Sequence, residues 1–423
     1  MVHLAVAVFV AAAGVASAAA SSTAAAASPV GAAPTATAAP AAGAAPATSA
    51  GSPSAGSVPP LLSFDAAIGY TTYSVFNGAP ASGTEPIPLV IDPLIDGSTG
   101  YRSKATQAIQ AQIEGIVKRD FPRYSLQRIT SETLRKHARV LAGTFTSVNG
   151  QIKPAGDREA FWFCLVLLDL DSGKVVARSV ARVPIRDADP TPTAIFRDSP
   201  AWTDDPSVQA YVANCQGSKV GDPISPAYLG GLLTAALINE AGDTYDAGRY
   251  ADALDLYRTA RKSPSGDQLR VYNGIYLALF KLGRAGPAAD AFRDLVDFGL
   301  RKNRLAVKFL FRPGSVRFAT DSEFSASYDV WLEQIAARAQ ETQACLQIIG
   351  HTGPTGPAAM NDSLSLLRAE YVQTRLEDER PQLKNRTVAA GMGSRETLIG
   401  NGRDDASDGL DRRVELKPIN PCK

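Results

Sequence analysis

The residues with the most chemistry to offer lie near the C-terminus. Gly350-His351-Thr352-Gly353-Pro354-Thr355-Gly356 forms a short glycine-bracketed loop. Asn361-Asp362-Ser363-Leu364-Ser365-Leu366-Leu367-Arg368-Ala369 follows it into a helix. Arg368 stands out, because a planar guanidinium held on a helix binds a carboxylate through two parallel hydrogen bonds. The other residues of the stretch also have plain structural uses. Gly350, Gly353 and Gly356 suit turns. His351 can hydrogen-bond the loop backbone, and Ser365 falls near the first helical turn. Asn361 can cap the helix or hold the loop. The chemistry on offer is recognition of a charged group rather than catalysis.

Catalytic alternatives find little support. The histidines are His3, His137 and His351, and none sits beside a G-x-S-x-G nucleophile motif. The chain has no P-loop, no H-E-x-x-H and no dinucleotide fingerprint. Gly391-Met392-Gly393-Ser394 is too short to cradle a phosphate alone. No C-x-x-C occurs, which argues against a zinc or redox motif. The expectation is a non-enzyme with no cofactor and no metal.

The loop and helix together resemble the core motif of the OmpA-like, peptidoglycan-binding domain. The family pattern reads G-H-T-D-x-x-G, then N-x-x-L-S-x-x-R-A. Arg412-Arg413-Val414-Glu415 resembles its N-R-R-V-E ending, with Asp411 in the Asn position. The resemblance runs from Val307 to the end of the chain. It implies a mixed sheet with two helices on one face. It also implies a groove for the diaminopimelate side chain of the cell-wall stem peptide, formed here by Arg368, Asn361, Thr352, Gly353 and Arg413. That ligand presents an ammonium and a carboxylate. In the family pattern the motif Asp takes the ammonium and the motif Arg the carboxylate. Arg368 keeps the cation, but Gly353 stands where the pattern has Asp. One charge-assisted hydrogen bond is worth about 1.5–3 kcal/mol, so its loss weakens such a site by about 10–150-fold. Asp362 and Asp321 are the carboxylates that could stand in.

The 423 residues are enough for two or three domains. A formal net charge of +1 gives no global field toward nucleic acid. Residues 1–64 contain no Lys, Arg, Asp or Glu. Within them, the apolar run Val2 to Val15 and Ala16-Ser17-Ala18 read as a secretory signal peptide over 1–18, without a basic residue before the run. Residues 19–60 are an Ala/Pro/Ser-rich linker that cannot bury a core. No further apolar run is long enough for a membrane span. The mature protein is expected to be periplasmic, associated with the cell wall or outer membrane. Four cysteines in an exported chain suit two disulfides, with three pairings open. Cys164 with Cys215 and Cys345 with Cys422 keep each bridge within one domain. The second pair meets if the strand opened by Cys345 and the last strand are antiparallel neighbours.

Between linker and C-terminal domain, two units are expected in a multidomain α+β chain. Residues 61–225 read β-α-β-α-β-β-β, with Ala105, Ile109, Ile113, Ile116 and Val117 at helical spacing and a hairpin turning at Asp171-Ser172-Gly173-Lys174. In element order this unit resembles the small α+β domains of periplasmic lipoproteins that activate penicillin-binding proteins or assemble curli. Asp92 and Asp96 are a carboxylate pair or, more simply, strand-end turn residues. In residues 231–300, Gly248, Ala253, Tyr257 and Ala260 recur as Gly283, Ala288, Phe292 and Leu295, a step of 35 residues. This resembles the small-large-small pattern of tetratricopeptide repeats. The OmpA-like domain occupies 305–423.

Two functions compete. In the first, a non-catalytic envelope protein docks its OmpA-like domain on peptidoglycan or another envelope component, while the repeat helices recruit a protein. An Arg368 that is buried or already paired counts against it. In the second, the chain is a pure protein-interaction scaffold that has lost peptidoglycan binding through Gly353. Buried Tyr250, Tyr257 and Phe292 would weaken that one.

Overall fold

The computed structural model describes residues 58–422 except 81–83, 137, 155, 204, 304, 313, 319–322, 401 and 403–407. The expected signal peptide, most of the expected linker, His137 and Asp321 lie outside the described residues. Residues 58 onward form one compact unit.

The first layer contains helix α1 (Phe64–Gly78), strand β1 (Ile87–Ile91), α2 (Lys104–Asp120), β2 (Tyr124–Gln127), α3 (Ser131–Arg135), β3 (Arg139–Val148), β4 (Ala160–Asp169) and β5 (Lys174–Pro184). After α1 this is the expected element order. The strands line up β2-β1-β3-β4-β5, parallel among β1, β2 and β3 and antiparallel onward. Helix α2 starts in a capping box of Ser103 and Thr106 and buries Ala105, Ile109, Ile113 and Val117. Strand β4 reads as a continuous apolar run because both of its faces are covered. Phe163, Leu165 and Leu167 join one core, and Cys164, Val166 and Leu168 join the other.

Helix α4 (Ala194–Asp198), β6 (Ala201–Trp202) and α5 (Pro206–Gln216) follow, then four helices: α6 (Pro226–Asp246), α7 (Tyr250–Lys262), α8 (Leu269–Lys281) and α9 (Ala285–Arg301). The 35-residue step is structural: Gly248 and Gly283 take positive φ of 77° and 68° at matching turns. Tyr257 and Phe292, also one step apart, are both buried. A β carbon on Gly274 would stand 2.3 Å from the Tyr257 ring, so the glycine makes room for that aromatic.

The C-terminal elements are β7 (Leu305–Val307), α10 (Tyr328–Glu341), β8 (Cys345–Gly350), α11 (Ala358–Glu379), β9 (Thr387–Gly391) and β10 (Val414–Ile419). Their sheet runs β6-β7-β10-β8-β9, with only β8 and β9 parallel. Strand β6 therefore comes from the segment expected to belong to the first unit. Trp202 on it packs with Tyr101 and Leu410. One apolar core runs through α6 to α9 and the C-terminal elements. Trp331 of α10 stacks on Phe292 (5.3 Å between ring centroids) and donates to the Tyr276 hydroxyl at 2.8 Å. The disulfides are Cys164–Cys215 and Cys345–Cys422. In the second, Cys345 lies opposite Ile419 on antiparallel neighbours, three residues before Cys422.

Asp92 and Asp96 separate in role. Asp96 Oδ1 accepts from the Ser98 and Thr99 amides at 3.0 and 2.8 Å, as a turn residue does. Asp92, at the carboxyl end of β1, is buried and accepts from the Tyr228 hydroxyl (2.9 Å) and Asn239 Nδ2 (3.3 Å) on α6. Burial pushes its pKa up from 3.8 to about 6, against the lowering effects of Tyr228, Arg270, Arg102 and Asn239. A raised folded pKa means a contribution to stability that is present below about pH 4 and lost as pH rises through about 6. That gap corresponds to about 3 kcal/mol. Urea unfolding at pH 4 and pH 7 should show Asp92→Asn losing about 2 kcal/mol less over that interval than the wild type.

Candidate functional site

Strands β8 and β9 deliver their exits against the first turns of α11. A β carbon on Gly350 would stand 2.0 Å from the Ser365 carbonyl oxygen, so this glycine is required by the close approach of strand and helix. The exits are joined by hydrogen bonds. The Thr352 amide donates to the Gly393 carbonyl at 2.9 Å, and the Gly393 amide donates to Ser365 Oγ at 2.9 Å. Ser365 Oγ in turn donates to the Asp362 carbonyl at 2.8 Å. Ser365 is thus a structural joint. Asn361 holds the loop rather than capping the helix: its Nδ2 donates to the Thr355 carbonyl at 3.2 Å, and Pro357 is the N-cap.

Gly356 turns the loop with φ of +93°. Gly353 is different. Its φ lies outside the left-handed region, and a β carbon there meets nothing within 4 Å. Neither backbone nor packing requires glycine at 353, so an aspartate fits.

Thr352 and Gly353 lie in the loop between β8 and α11, Asn361 lies in the first turn of α11, and Arg368 lies midway along that helix. Arg368 is 3% exposed. Its Nε donates to the Ser315 carbonyl at 3.2 Å, and its guanidinium lies 4.8 Å from the centre of the Phe311 ring. The loop after β7 covers the cation that the motif would present. Asp362, one candidate to replace the missing anion, pairs with Arg395 at 2.5 Å.

Arg413 lies deeper, 1% exposed. Its Nε and Nη2 reach Glu415 Oε1 at 2.9 and 2.8 Å, and Nη1 donates to the Glu396 carbonyl at 3.1 Å. The buried His351 ring sits between Glu396 (3.9 Å) and Glu415 (3.8 Å), while its amide donates to the Arg413 carbonyl at 3.0 Å. Asp411 accepts from the Leu398, Ile399 and Gly400 amides at 2.6, 2.9 and 2.7 Å. Burial raises its pKa despite those bonds. Asp411 thereby shapes the loop that meets the first layer, where Ser147 donates to the Ile399 carbonyl at 2.9 Å. Sequence reasoning did not single out Glu415 as the partner of Arg413. Their spacing of two across the start of β10, with Arg413 one residue before the strand and Glu415 inside it, was the available signal.

Among the described residues no group of three His, Cys, Asp or Glu side chains is placed to hold a metal ion, and no helix is long and apolar enough to cross a membrane. No family model matches the chain, and no curated protein does. Comparison with solved structures finds similarity to several bacterial envelope proteins. A peptidoglycan-associated lipoprotein from Burkholderia pseudomallei is 24% identical over 29% of this chain and 93% of that one, with a TM-score of 0.23. An outer membrane protein from Borrelia burgdorferi is 22% identical over 28% and 88%, TM-score 0.22. The cell wall anchor of a type VI secretion system from Pseudomonas aeruginosa is 20% identical over 27% and 80%, TM-score 0.23.

Proposed function

We propose that this chain is a non-catalytic, exported cell-envelope protein that works chiefly by binding other proteins. In this reading, its C-terminal domain is an OmpA-like module whose cell-wall groove is closed. The observation that carries this is Arg368, 3% exposed and engaged by the Ser315 carbonyl and the Phe311 ring. A groove for diaminopimelate needs that cation free to meet a carboxylate. It also needs an anion, and at Gly353 there is none. Burial of one half of the site and loss of the other act in the same direction. The 61–225 segment, the four helices and the C-terminal domain then serve as one scaffold, reached through the linker. Tyr257 and Phe292 are buried in helix packing, and Tyr250 is half-buried. This burial counts against docking through the repeat aromatics, the form of the scaffold reading expected from sequence, so the docking surface must lie elsewhere on the scaffold.

The competing reading, peptidoglycan docking, is kept alive by Arg368 lying on the helix that the 350–356 loop enters, with Asn361 fastening that loop to it. It requires the loop around Ser315 to lift from Arg368. Co-sedimentation of the full chain with diaminopimelate-type peptidoglycan separates the two: the scaffold reading expects the protein to stay in the supernatant.

A further inference from the structure

We infer that the open edge of the first sheet takes up an extended peptide from a partner protein as a sixth strand. This rests on the protein-binding reading above and gives it a site. Strand β2 is the edge strand of its sheet. The Ile87 amide donates to the Arg123 carbonyl at 2.8 Å, and Leu89 lies opposite Leu126. In a parallel ladder this register turns the N–H and C=O of Leu126 away from β1. Among the described residues neither group has a backbone partner. Natural edge strands are blunted by short length, proline, lysine or a bulge. Tyr124-Ser125-Leu126-Gln127 is short, but it carries no proline, lysine or bulge.

That edge opens into a cleft of about 1050 Å³, at the upper end of the range for ligand-binding clefts. The cleft lies between two helices. On one side α2 contributes Glu114 and Lys118; on the other α6 contributes Leu233 and Leu237. Leu229, Leu233 and Leu237 follow one another at four-residue steps along α6, and Leu233 is 42% exposed. A strand laid along β2 would point alternate side chains to opposite faces. One set meets the α6 leucines and the other meets the charged α2 wall. The occupant is therefore an extended segment alternating apolar and polar residues, with main-chain pairing to Leu126 supplying affinity and the leucines supplying selectivity.

The test is to pan a phage-displayed random dodecapeptide library against the full chain, then measure the enriched peptides on wild type and Leu233→Glu. Leu233 is a surface residue, so the variant should fold. The expected result is enrichment of alternating apolar and polar sequences, binding at least about tenfold weaker to Leu233→Glu, and slowed hydrogen exchange of the Leu126 amide when peptide is bound. No enrichment, or peptides that bind both proteins equally and leave Leu126 exchange unchanged, would overturn the site. Peptides that bind elsewhere would remove this cleft yet keep the protein-binding reading. Pelleting with peptidoglycan would remove that reading while the exchange result still judges the cleft.

Discussion

Arg413→Met should destabilise the protein by about 3–5 kcal/mol, the usual cost of removing one partner from a buried ion pair. Arg413 and Glu415 are 1% and 5% exposed and meet at 2.8–2.9 Å. Taking away the guanidinium leaves the Glu415 carboxylate in the interior without its cation. It also removes the bond that ties Arg413 to the Glu396 carbonyl, and with it the loop leading to Asp411. The energy therefore comes chiefly from an uncompensated charge, not from the intrinsic worth of the pair. A double variant, Arg413→Met with Glu415→Leu, removes both charges and should recover most of the loss. Denaturant unfolding of the three proteins checks this. Equal losses in the single and double variants would mean that packing around Arg413, rather than charge, sets the cost.

Trp331→Ala should cost about 3–5 kcal/mol and do so by loosening the C-terminal elements from the helices. Trp331 is buried, stacks on Phe292 of α9 and donates to Tyr276 of α8. Its indole fills the seam between two parts of the chain, and Tyr328 and Phe309 close around it. Truncation leaves a cavity and takes the donor from the buried Tyr276 hydroxyl. Trp331→Phe keeps much of the packing but not the N–H, and should lose about 1–3 kcal/mol of that total. Hydrogen exchange should show faster opening of α9 and α10 in Trp331→Ala, with β3 to β5 little changed.

Much of the fold could be read ahead of the structure where a single element carries its own pattern. The spacing of Ala105, Ile109, Ile113 and Val117 marked α2, and the paired apolar runs around Asp171-Ser172-Gly173-Lys174 marked the β4–β5 hairpin. The recurrence of Gly248 as Gly283 marked matching helix turns. Other elements left weaker traces. Helix α1 buries Thr71 and Thr72 beside Ile68 and Val75, so its inward face looks half polar in sequence. Strand β6 has two residues, too few to show a period, and its place is set by pairing with β7 more than a hundred positions later. For the proposed groove, the sequence names candidate residues but not their surroundings. Asn361 does hold the loop that carries Thr352 and Gly353, through the Thr355 carbonyl, while Arg368 is engaged by Ser315 and Phe311 instead. The burial of Arg368 depends on Ser315, 53 positions away, and on a loop whose path no local pattern declares.

The most direct test of the closed-groove account is co-sedimentation of the full chain with purified diaminopimelate-type peptidoglycan, beside Arg368→Ala and Gly353→Asp. The account predicts that wild type and Arg368→Ala remain equally in the supernatant, and that any pelleting appears only with Gly353→Asp. Wild type that pellets, and stops doing so in Arg368→Ala, would contradict it and make the protein a cell-wall tether.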